Sequence, residues 1–254
     1  MKQIQAIFFD IDGTLLEFGE NRIQDSVIES IQAAQRKGYK VAIASSRPLT
    51  IINDVENIWD IRWDSIVAGS GTSIYNENIS IYKDHSLPQE TLKQIFQLAK
   101  ENNISIYTCG KESFFTKWNE LVQWLKESYH VTSNIVHPYQ NESVQLITLL
   151  SNDYNSLSKT FKSISGIRLV KGGPYNTDIF PAHINKCTGI HELMEKWNLP
   201  KQNYMCFGDT CGDHDMILDA NIGIAMLNGM EETKQLADYV CESIPEELHH
   251  FHIL

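Results

Sequence analysis

Short apolar runs alternate with amphipathic segments along the chain, a pattern that predicts strands separated by helices. The first apolar run spans residues 4–9, and so continuous a run is typical of a parallel strand covered on both faces. Residues 25–37 carry apolar side chains at helical spacing and end in a basic last turn before Gly38. A second apolar run follows at residues 39–44. This order favours a parallel α/β fold, because right-handed crossovers place successive strands side by side.

The pattern changes after a predicted helix over 48–58 and a third strand over 65–68. Residues 73–75 and 79–82 flank Asn76-Glu77-Asn78, which indicates an antiparallel hairpin. We therefore expect the first domain to be interrupted after this hairpin.

The chain then enters a predicted α/β insert over residues 83–181, with one of its strands at 144–150. Parallel α/β signals return with a helix over 185–197 and a strand over 204–207. Core positions in the insert are expected for Phe114, Phe115, Trp118 and Trp124. The predicted domains are a catalytic core of residues 1–82 and 182–254 and an inserted domain of residues 83–181.

Polar side chains follow the apolar runs where the predicted strands end. Asp10 and Asp12 follow the first strand and, because strand side chains alternate, both would leave it on the same side. Ser45-Ser46-Arg47-Pro48 follows the second strand, and Gly208-Asp209 ends a later one, with Asp213 in the turn into a helix. Open sheets bind ligands at this carboxyl edge. The plainer alternatives are an Asp-Gly turn for the first acids and helix capping for the serines.

Four converging acids would repel one another, so a cation is expected among Asp10, Asp12, Asp209 and Asp213. Magnesium prefers oxygen ligands and keeps several waters, so a few carboxylates suffice to hold it. The remaining positive charge would come from Arg47 and Lys186. A carboxylate nucleophile, a second acid, a cation and a lysine are the parts needed for phosphoryl transfer through an aspartyl-phosphate.

Composition narrows the classes of ligand. Acidic residues outnumber basic ones 32 to 21, and the formal net charge of −11 disfavours binding to nucleic acids or anionic membranes. The five cysteines form no C-x-x-C pair, which favours reduced thiols over disulfides or a zinc site. Because no apolar run reaches membrane-spanning length, we expect a cytoplasmic protein, and its oligomeric state is left open.

The motifs together resemble the haloacid dehalogenase (HAD) superfamily, and within it the Cof-type sugar-phosphatase-like subfamily. Residues 9–14 are similar to its D-x-D-G-T motif, residues 44–48 to A-T-G-R-P, and residues 185–189 to its lysine motif. Gly208-Asp209 with Asp213 resembles G-D-x-x-N-D. The resemblance covers nearly the whole chain and implies an α/β fold: a Rossmann-like parallel-sheet core, HAD-like, with an inserted α/β cap domain that selects the substrate.

The resemblance also implies roles for the acids. Asp10 would be the nucleophile, and Asp12 the general acid for the leaving oxygen and then the base for water. Mg²⁺ would be held by Asp10, the main-chain carbonyl of Asp12 and Asp209, with Asp213 orienting the ligand shell. The phosphoryl group would be bound by Ser45, Lys186, Gly13, Arg47 and Asn228.

Three positions depart from the family pattern: Ser46 replaces a glycine, and Ser70 and Gly212 replace asparagines. None of them removes a charged catalytic group. The resulting hypothesis is a Mg²⁺-dependent phosphatase that acts on a small phosphorylated metabolite, such as a sugar phosphate. A phosphosugar mutase or phosphotransferase stays open as an alternative, as does a catalytically weak ligand-binding or regulatory protein.

Overall fold

The computed structural model describes residues 4–110, 112–129 and 131–254. The chain divides into two compact units, one formed by Met1–Asp84 and Asn185–Leu254 and the other by His85–Ile184. The domain boundaries expected from the sequence, after residue 82 and after residue 181, fall slightly earlier in the chain than these.

The helices and strands follow one another in three segments. The chain begins with β1 (Ala6–Phe9), α1 (Asp25–Arg36), β2 (Lys40–Ala44), α2 (Leu49–Ile52), β3 (Ser65–Ala68), β4 (Ser73–Asn76) and β5 (Ile81–Asp84). The second unit contains α3 (Gln89–Glu101), β6 (Ser105–Gly110), β7 (Ser113–Phe115), α4 (Glu120–Tyr129), β8 (Val144–Leu150), α5 (Tyr154–Phe161), β9 (Ile167–Lys171) and β10 (Asn176–Pro181). The first unit resumes with α6 (Lys186–Lys196), β11 (Tyr204–Gly208), α7 (His214–Asp219), β12 (Ile222–Met226), α8 (Glu231–Leu236), β13 (Tyr239–Cys241) and α9 (Ile244–His250).

The first unit is built on an eight-stranded sheet in the order β13-β12-β11-β1-β2-β3-β4-β5. Strands β13 to β3 in this order pair in parallel, whereas β4 and β5 join as the antiparallel hairpin expected from the sequence. Phe9, the last residue of β1, pairs with Phe207 on one side and Ile43 on the other. The predicted α/β fold with a parallel-rich sheet is confirmed, and three strand ends carrying the candidate residues lie side by side.

Burial explains the apolar sequence of β1, whose four residues are all fully buried. Ile7 and Phe9 pack into the core cluster on one face, which includes residues of α1 and α9. Ala6 and Phe8 pack into the cluster on the other face, which includes residues of α6 and α7. Each fully buried large apolar side chain stabilises the fold by about 1.5–3 kcal/mol, so this central strand is strongly anchored.

The second unit contains a five-stranded antiparallel sheet in the order β7-β6-β8-β10-β9, covered by α3 and α5. The strand predicted over 144–150 is found as β8. Phe114 and Phe115 are buried as predicted, but Trp118 is 48% exposed, so the core position expected for it was wrong. The ring of Trp118 contacts the buried ring of Phe115 edge-on.

Two helices differ from the sequence-based expectation in the first unit. The helix predicted over 48–58 is shortened to α2, Leu49–Ile52, because Thr50 and Ile51 are β-branched and Asn53-Asp54 favour a turn. Helix α9 was not predicted, although Ile244 and Leu248 lie one turn apart and are buried in the core with α1.

Over the ranges that the structure describes, none of the helices has the length and apolar character needed to cross a membrane.

Candidate active site

The register of the parallel strands brings Asp10 and Asp209 to neighbouring positions. Asp10 follows β1 directly, and its main-chain N–H donates to the carbonyl oxygen of Phe207 at 3.0 Å. Asp209 follows β11, the strand that contains Phe207, and both aspartates are buried. Two carboxyl groups distant in the chain therefore emerge next to each other at the carboxyl edge of the sheet.

Lys186 supplies a buried positive charge between two of the acids. Its Nζ donates to Asp10 Oδ1 at 2.7 Å and to Asp213 Oδ1 at 2.6 Å. Burial favours the neutral amine, but the two carboxylates raise the pKa of Lys186 above its usual range. Removing either kind of partner would leave an uncompensated buried charge, so the lysine and the acids depend on each other.

The start of α6 fixes the position of this lysine. Asn185 is the N-cap, and its side-chain oxygen accepts from the N–H of Thr188 at 2.8 Å. The Thr188 hydroxyl oxygen in turn accepts from the Asn185 N–H at 3.0 Å, completing a capping box. Sequence reasoning missed this pair, although an Asn and a Thr three residues apart at a helix start are its signal.

Asp213 closes the loop between β11 and α7. Its Oδ2 accepts hydrogen bonds from the main-chain N–H groups of Asp209 and Thr210, both at 3.0 Å, while Oδ1 accepts from Lys186. One carboxylate thus shapes the loop and holds the lysine. Shaping the turn into α7 and belonging to the charged site are therefore compatible roles for Asp213.

Asp209 has the least compensated side chain of the site. No described residue donates a hydrogen bond to either of its carboxylate oxygens, and both are buried. Burial, with the charges of Asp10 and Asp213, raises its pKa to about 8. Burial is also the largest cause that raises the pKa of Asp10 to about 7, against the opposing effect of Lys186.

This arrangement fits a hard divalent cation. Asp10, Asp209 and Asp213 each offer an oxygen, and these oxygens lie within 4.8 Å of one another. A cation among them would use the oxygens of Asp209 and offset the repulsion that raises both pKa values. The side chain of Asp12 is not a member of this group, so its predicted contact through the main-chain carbonyl stays a prediction.

A glycine is required at position 13, because the main chain there passes close to the side chain of Asp209. The φ of Gly13, +74°, lies in the left-handed region, and a Cβ at this position would stand 2.3 Å from Asp209 Oδ2. The Asn228 side-chain amide donates to the Gly13 carbonyl oxygen at 3.1 Å and fixes the same turn. Two residues predicted to bind phosphate are thus joined to each other beside the acid cluster.

Asp12 and Arg47 form a pair that sequence reasoning did not foresee. The guanidinium donates through Nε to Asp12 Oδ2 at 2.9 Å and through Nη2 to Oδ1 at 2.6 Å. The Asp12 side chain is 46% exposed, in contrast to the buried acids. Ser45 is fully buried, and its hydroxyl oxygen accepts from the Arg47 N–H at 3.1 Å. The serine therefore shapes the turn that presents the arginine.

Comparison with known proteins agrees with this architecture. A model of the haloacid dehalogenase-like hydrolase family matches residues 7–247. YkrA of Bacillus subtilis strain 168, provisionally named a phosphatase, is 26% identical over 249 residues, covering 96% of this chain and 94% of the relative. The 5-amino-6-(5-phospho-D-ribitylamino)uracil phosphatase YcsE of the same strain is 22% identical over 248 residues, covering 96% and 92%. The solved structure of a HAD subclass IIB sugar phosphatase superposes with a TM-score of 0.88 at 27% identity, covering 98% of this chain and 100% of its own.

Proposed function

The chain belongs to the haloacid dehalogenase-like hydrolases and is a phosphatase of that family, and we propose that it is Mg²⁺-dependent and works through an aspartyl-phosphate. The proposed substrate is a small phosphorylated metabolite, and the likeness to a sugar phosphatase supports a sugar phosphate. The observation that carries the proposal is the buried group of Asp10, Asp209 and Asp213 around one lysine.

Asp10, Asp209 and the Asp12 main-chain carbonyl would hold Mg²⁺, with Asp213 next to them. When bound, the ion would offset the negative charge of the carboxylates and of the phosphoryl oxygens. Lys186 adds a second positive charge, because the raised pKa of its amine keeps it protonated. Asp10 needs both charges, because a carboxylate cannot approach a phosphate dianion against uncompensated repulsion.

In the first half-reaction an oxygen of Asp10 attacks phosphorus, and the bond from phosphorus to the leaving oxygen breaks. Asp12 donates a proton to that oxygen, so an alcohol departs and Asp10 carries the phosphoryl group. Arg47 donates hydrogen bonds to both carboxylate oxygens of Asp12, so we expect the guanidinium to leave Asp12 and turn to the phosphoryl oxygens when Asp12 carries the proton.

In the second half-reaction water attacks phosphorus and gives its proton to Asp12, which now acts as a base. The bond from phosphorus to Asp10 breaks, inorganic phosphate leaves, and the carboxylate of Asp10 is restored. Asp12 ends protonated, ready for the next substrate. The side chain of Asp12 is 46% exposed, which suits a group that must gain and lose a proton in each cycle.

The test is release of phosphate from an aryl phosphate and from panels of phosphorylated sugars, nucleotides and cofactors, with Mg²⁺ or with a chelator. We expect turnover that chelation abolishes and Mg²⁺ restores. Asp10→Asn should lower turnover by at least about four orders of magnitude, as loss of a nucleophile does elsewhere. The control is Asp25→Asn, an exposed acid at the start of α1.

Wild-type turnover in Asp10→Asn would refute the proposed nucleophile, and turnover indifferent to chelation would refute the proposed metal. Added sugar acceptors separate hydrolysis from transfer. Phosphorylated acceptor in place of free phosphate would show that the aspartyl-phosphate is passed to a hydroxyl group rather than to water.

A further inference from the structure

The first unit holds a second cluster of metal-ligating side chains, formed by Cys187, His191 and Asp219. We propose that these three residues bind a zinc-class transition-metal cation. Cys187 Sγ lies 3.7 Å from His191 Nε2, and Nε2 lies 2.6 Å from Asp219 Oδ2. All three potential ligand atoms lie within 4.8 Å of one another.

Local structure explains why these residues meet. Cys187 and His191 are four residues apart on α6, so their side chains share one helix face. Asp219 is the last residue of α7, and the two helices are also joined at their first turns, where the Asn185 amide donates to Asp215 Oδ2 at 2.5 Å. The cluster is therefore held by rigid elements rather than by a loop.

The direction of approach distinguishes this cluster from a catalytic triad. In a Cys-His-Asp triad the thiol and the carboxylate take opposite nitrogens of the ring. Here both approach the same atom, Nε2 of His191. One N–H cannot serve a sulfur and a carboxylate equally well, whereas one cation between the three atoms can accept an electron pair from each of them.

The distances suit a tetrahedral ion. Zinc bonds to sulfur at about 2.3 Å and to nitrogen at about 2.0–2.1 Å, so the two ligand atoms should lie roughly 3.5 Å apart. The observed distance from Sγ to Nε2 is 3.7 Å. The contact from Nε2 to Oδ2, at 2.6 Å, is a hydrogen bond that would open when the ion binds Nε2 and the ring proton moves to Nδ1, so that only the Cys187 thiol loses a proton to solvent. A water molecule would provide the fourth ligand.

The ligand chemistry separates this cluster from the acid cluster. Asp10, Asp209 and Asp213 offer oxygen atoms only, which suits Mg²⁺. Sulfur and imidazole nitrogen instead select zinc-class ions, and Mg²⁺ competes poorly for them. The two clusters share no residue, so this inference does not depend on the proposed function.

The surroundings of the cluster support binding from solvent. The side chains of His191 and Asp219 are 28% and 24% exposed, so an ion could reach them directly. The Tyr204 hydroxyl lies 3.2 Å from Asp219 Oδ2, where it would orient the ligating carboxylate. Burial raises the pKa of Cys187 to about 12, so its thiol keeps a proton until a cation displaces it.

The experiment uses the metal-free full chain, with Co²⁺ as a spectroscopic substitute for zinc and excess Mg²⁺ to occupy the acid cluster. A thiolate-to-cobalt charge-transfer band should appear and saturate at one ion per chain. The band should be absent in Cys187→Ser. His191→Gln should weaken Co²⁺ binding by more than about tenfold. Loss of a residue that only supports a metal ligand already weakens metal binding by about 10–100-fold, and loss of a ligand should weaken it at least as much.

The matched control is Cys211→Ser, because Cys211 is the exposed thiol and lies two residues before Asp213, beside the acid cluster. Its band should equal that of the wild type. A band that survives Cys187→Ser, or one that is lost in Cys211→Ser, would overturn the proposed site.

A measurement on the wild-type protein tests the site without relying on a variant that could misfold. Zinc binding should release about one proton per ion near neutral pH, because the thiol is protonated beforehand. Calorimetry in two buffers of different ionisation enthalpy counts this proton, again with excess Mg²⁺ present. Binding without proton release would show that Cys187 is not a ligand.

Discussion

Each of the two units contains a carboxyl group whose pKa is raised by burial, but the surroundings of the two groups differ. In the second unit, Asp178 on β10 accepts a hydrogen bond from the Thr148 hydroxyl at 2.6 Å, and its pKa is about 6. In the first unit, Asp209 faces two further carboxyl groups, and its pKa is about 8. The first arrangement satisfies a polar group within a sheet, whereas the second concentrates charge that only a cation can neutralise.

This contrast shows that a raised pKa alone does not identify a functional site. Asp178 pairs in register with Thr148 across two antiparallel strands, so its hydrogen-bond partner comes from the neighbouring strand of the same sheet. Asp10 and Asp209 are instead brought together by parallel strands, and the nearest positive charge comes from the start of α6. Crowding of like charges around one lysine is the feature that indicates chemistry.

The largest difference between these two surroundings should appear when the buried lysine is removed. Lys186→Gln should lower turnover by about 10²–10³-fold, because an electrostatic partner of the reacting group is lost. It should also destabilise the protein by about 3–5 kcal/mol, since Asp10 and Asp213 are left buried without a counter-charge. Phosphate release and urea unfolding measure the two effects.

Lys196→Gln is the control, because Lys196 ends the same helix and contacts Asn76 and Tyr82 rather than the acids. If Lys186→Gln and Lys196→Gln behave alike, the buried lysine is not part of the site.

A smaller effect is expected when one acid is neutralised. Asp209→Asn should weaken Mg²⁺ binding by about 10–100-fold, since an amide oxygen is a poorer ligand for this ion than a carboxylate. Activity measured against Mg²⁺ concentration reports the change, and saturating Mg²⁺ should recover part of it. Asp178→Asn should leave the Mg²⁺ dependence unaltered. An unchanged Mg²⁺ requirement in Asp209→Asn would contradict the role of Asp209 as a metal ligand, and Asp209 would then behave like Asp178.

The smallest effect on activity is expected from Asp178, whose ionisation should change stability instead. A carboxyl group whose pKa is raised on folding contributes stability that is present below pH 3.8 and is lost as the pH rises through about 6. Asp178→Asn retains an acceptor for Thr148 but cannot ionise. Relative to the variant, the wild type should therefore lose up to about 3 kcal/mol of unfolding free energy across this pH range, since each unit of the pKa difference corresponds to about 1.4 kcal/mol.

Chemical unfolding of both proteins at a series of pH values measures this difference. Glu101→Gln, at the exposed end of α3, is the control for loss of one surface carboxylate. A difference that stays constant with pH would show that Asp178 ionises as it does in the unfolded chain.

Local patterns determined much of the fold in advance. The run at 144–150 is β8, and the run at 4–9 contains β1, because short and mostly apolar segments favour buried strands. Acids after strands, and Lys186 at the start of a helix, could also be identified from the sequence, since strand ends and helix starts have short-range signals. The early end of α2 had a local signal in Asn53-Asp54 that the helix prediction overlooked, whereas the exposed ring of Trp118 was not predictable in this way, because its burial depends on packing between distant segments.

Which side chains pair with each other became visible only in the folded chain. The sequence indicated that Asp12 and Arg47 are near one edge, but not that they pair with each other. It likewise suggested no role for Cys187 and His191 until α7 brought Asp219 to their face of α6. Periodicity specifies which face a residue occupies, whereas register and helix packing between distant segments specify which groups lie within bonding distance.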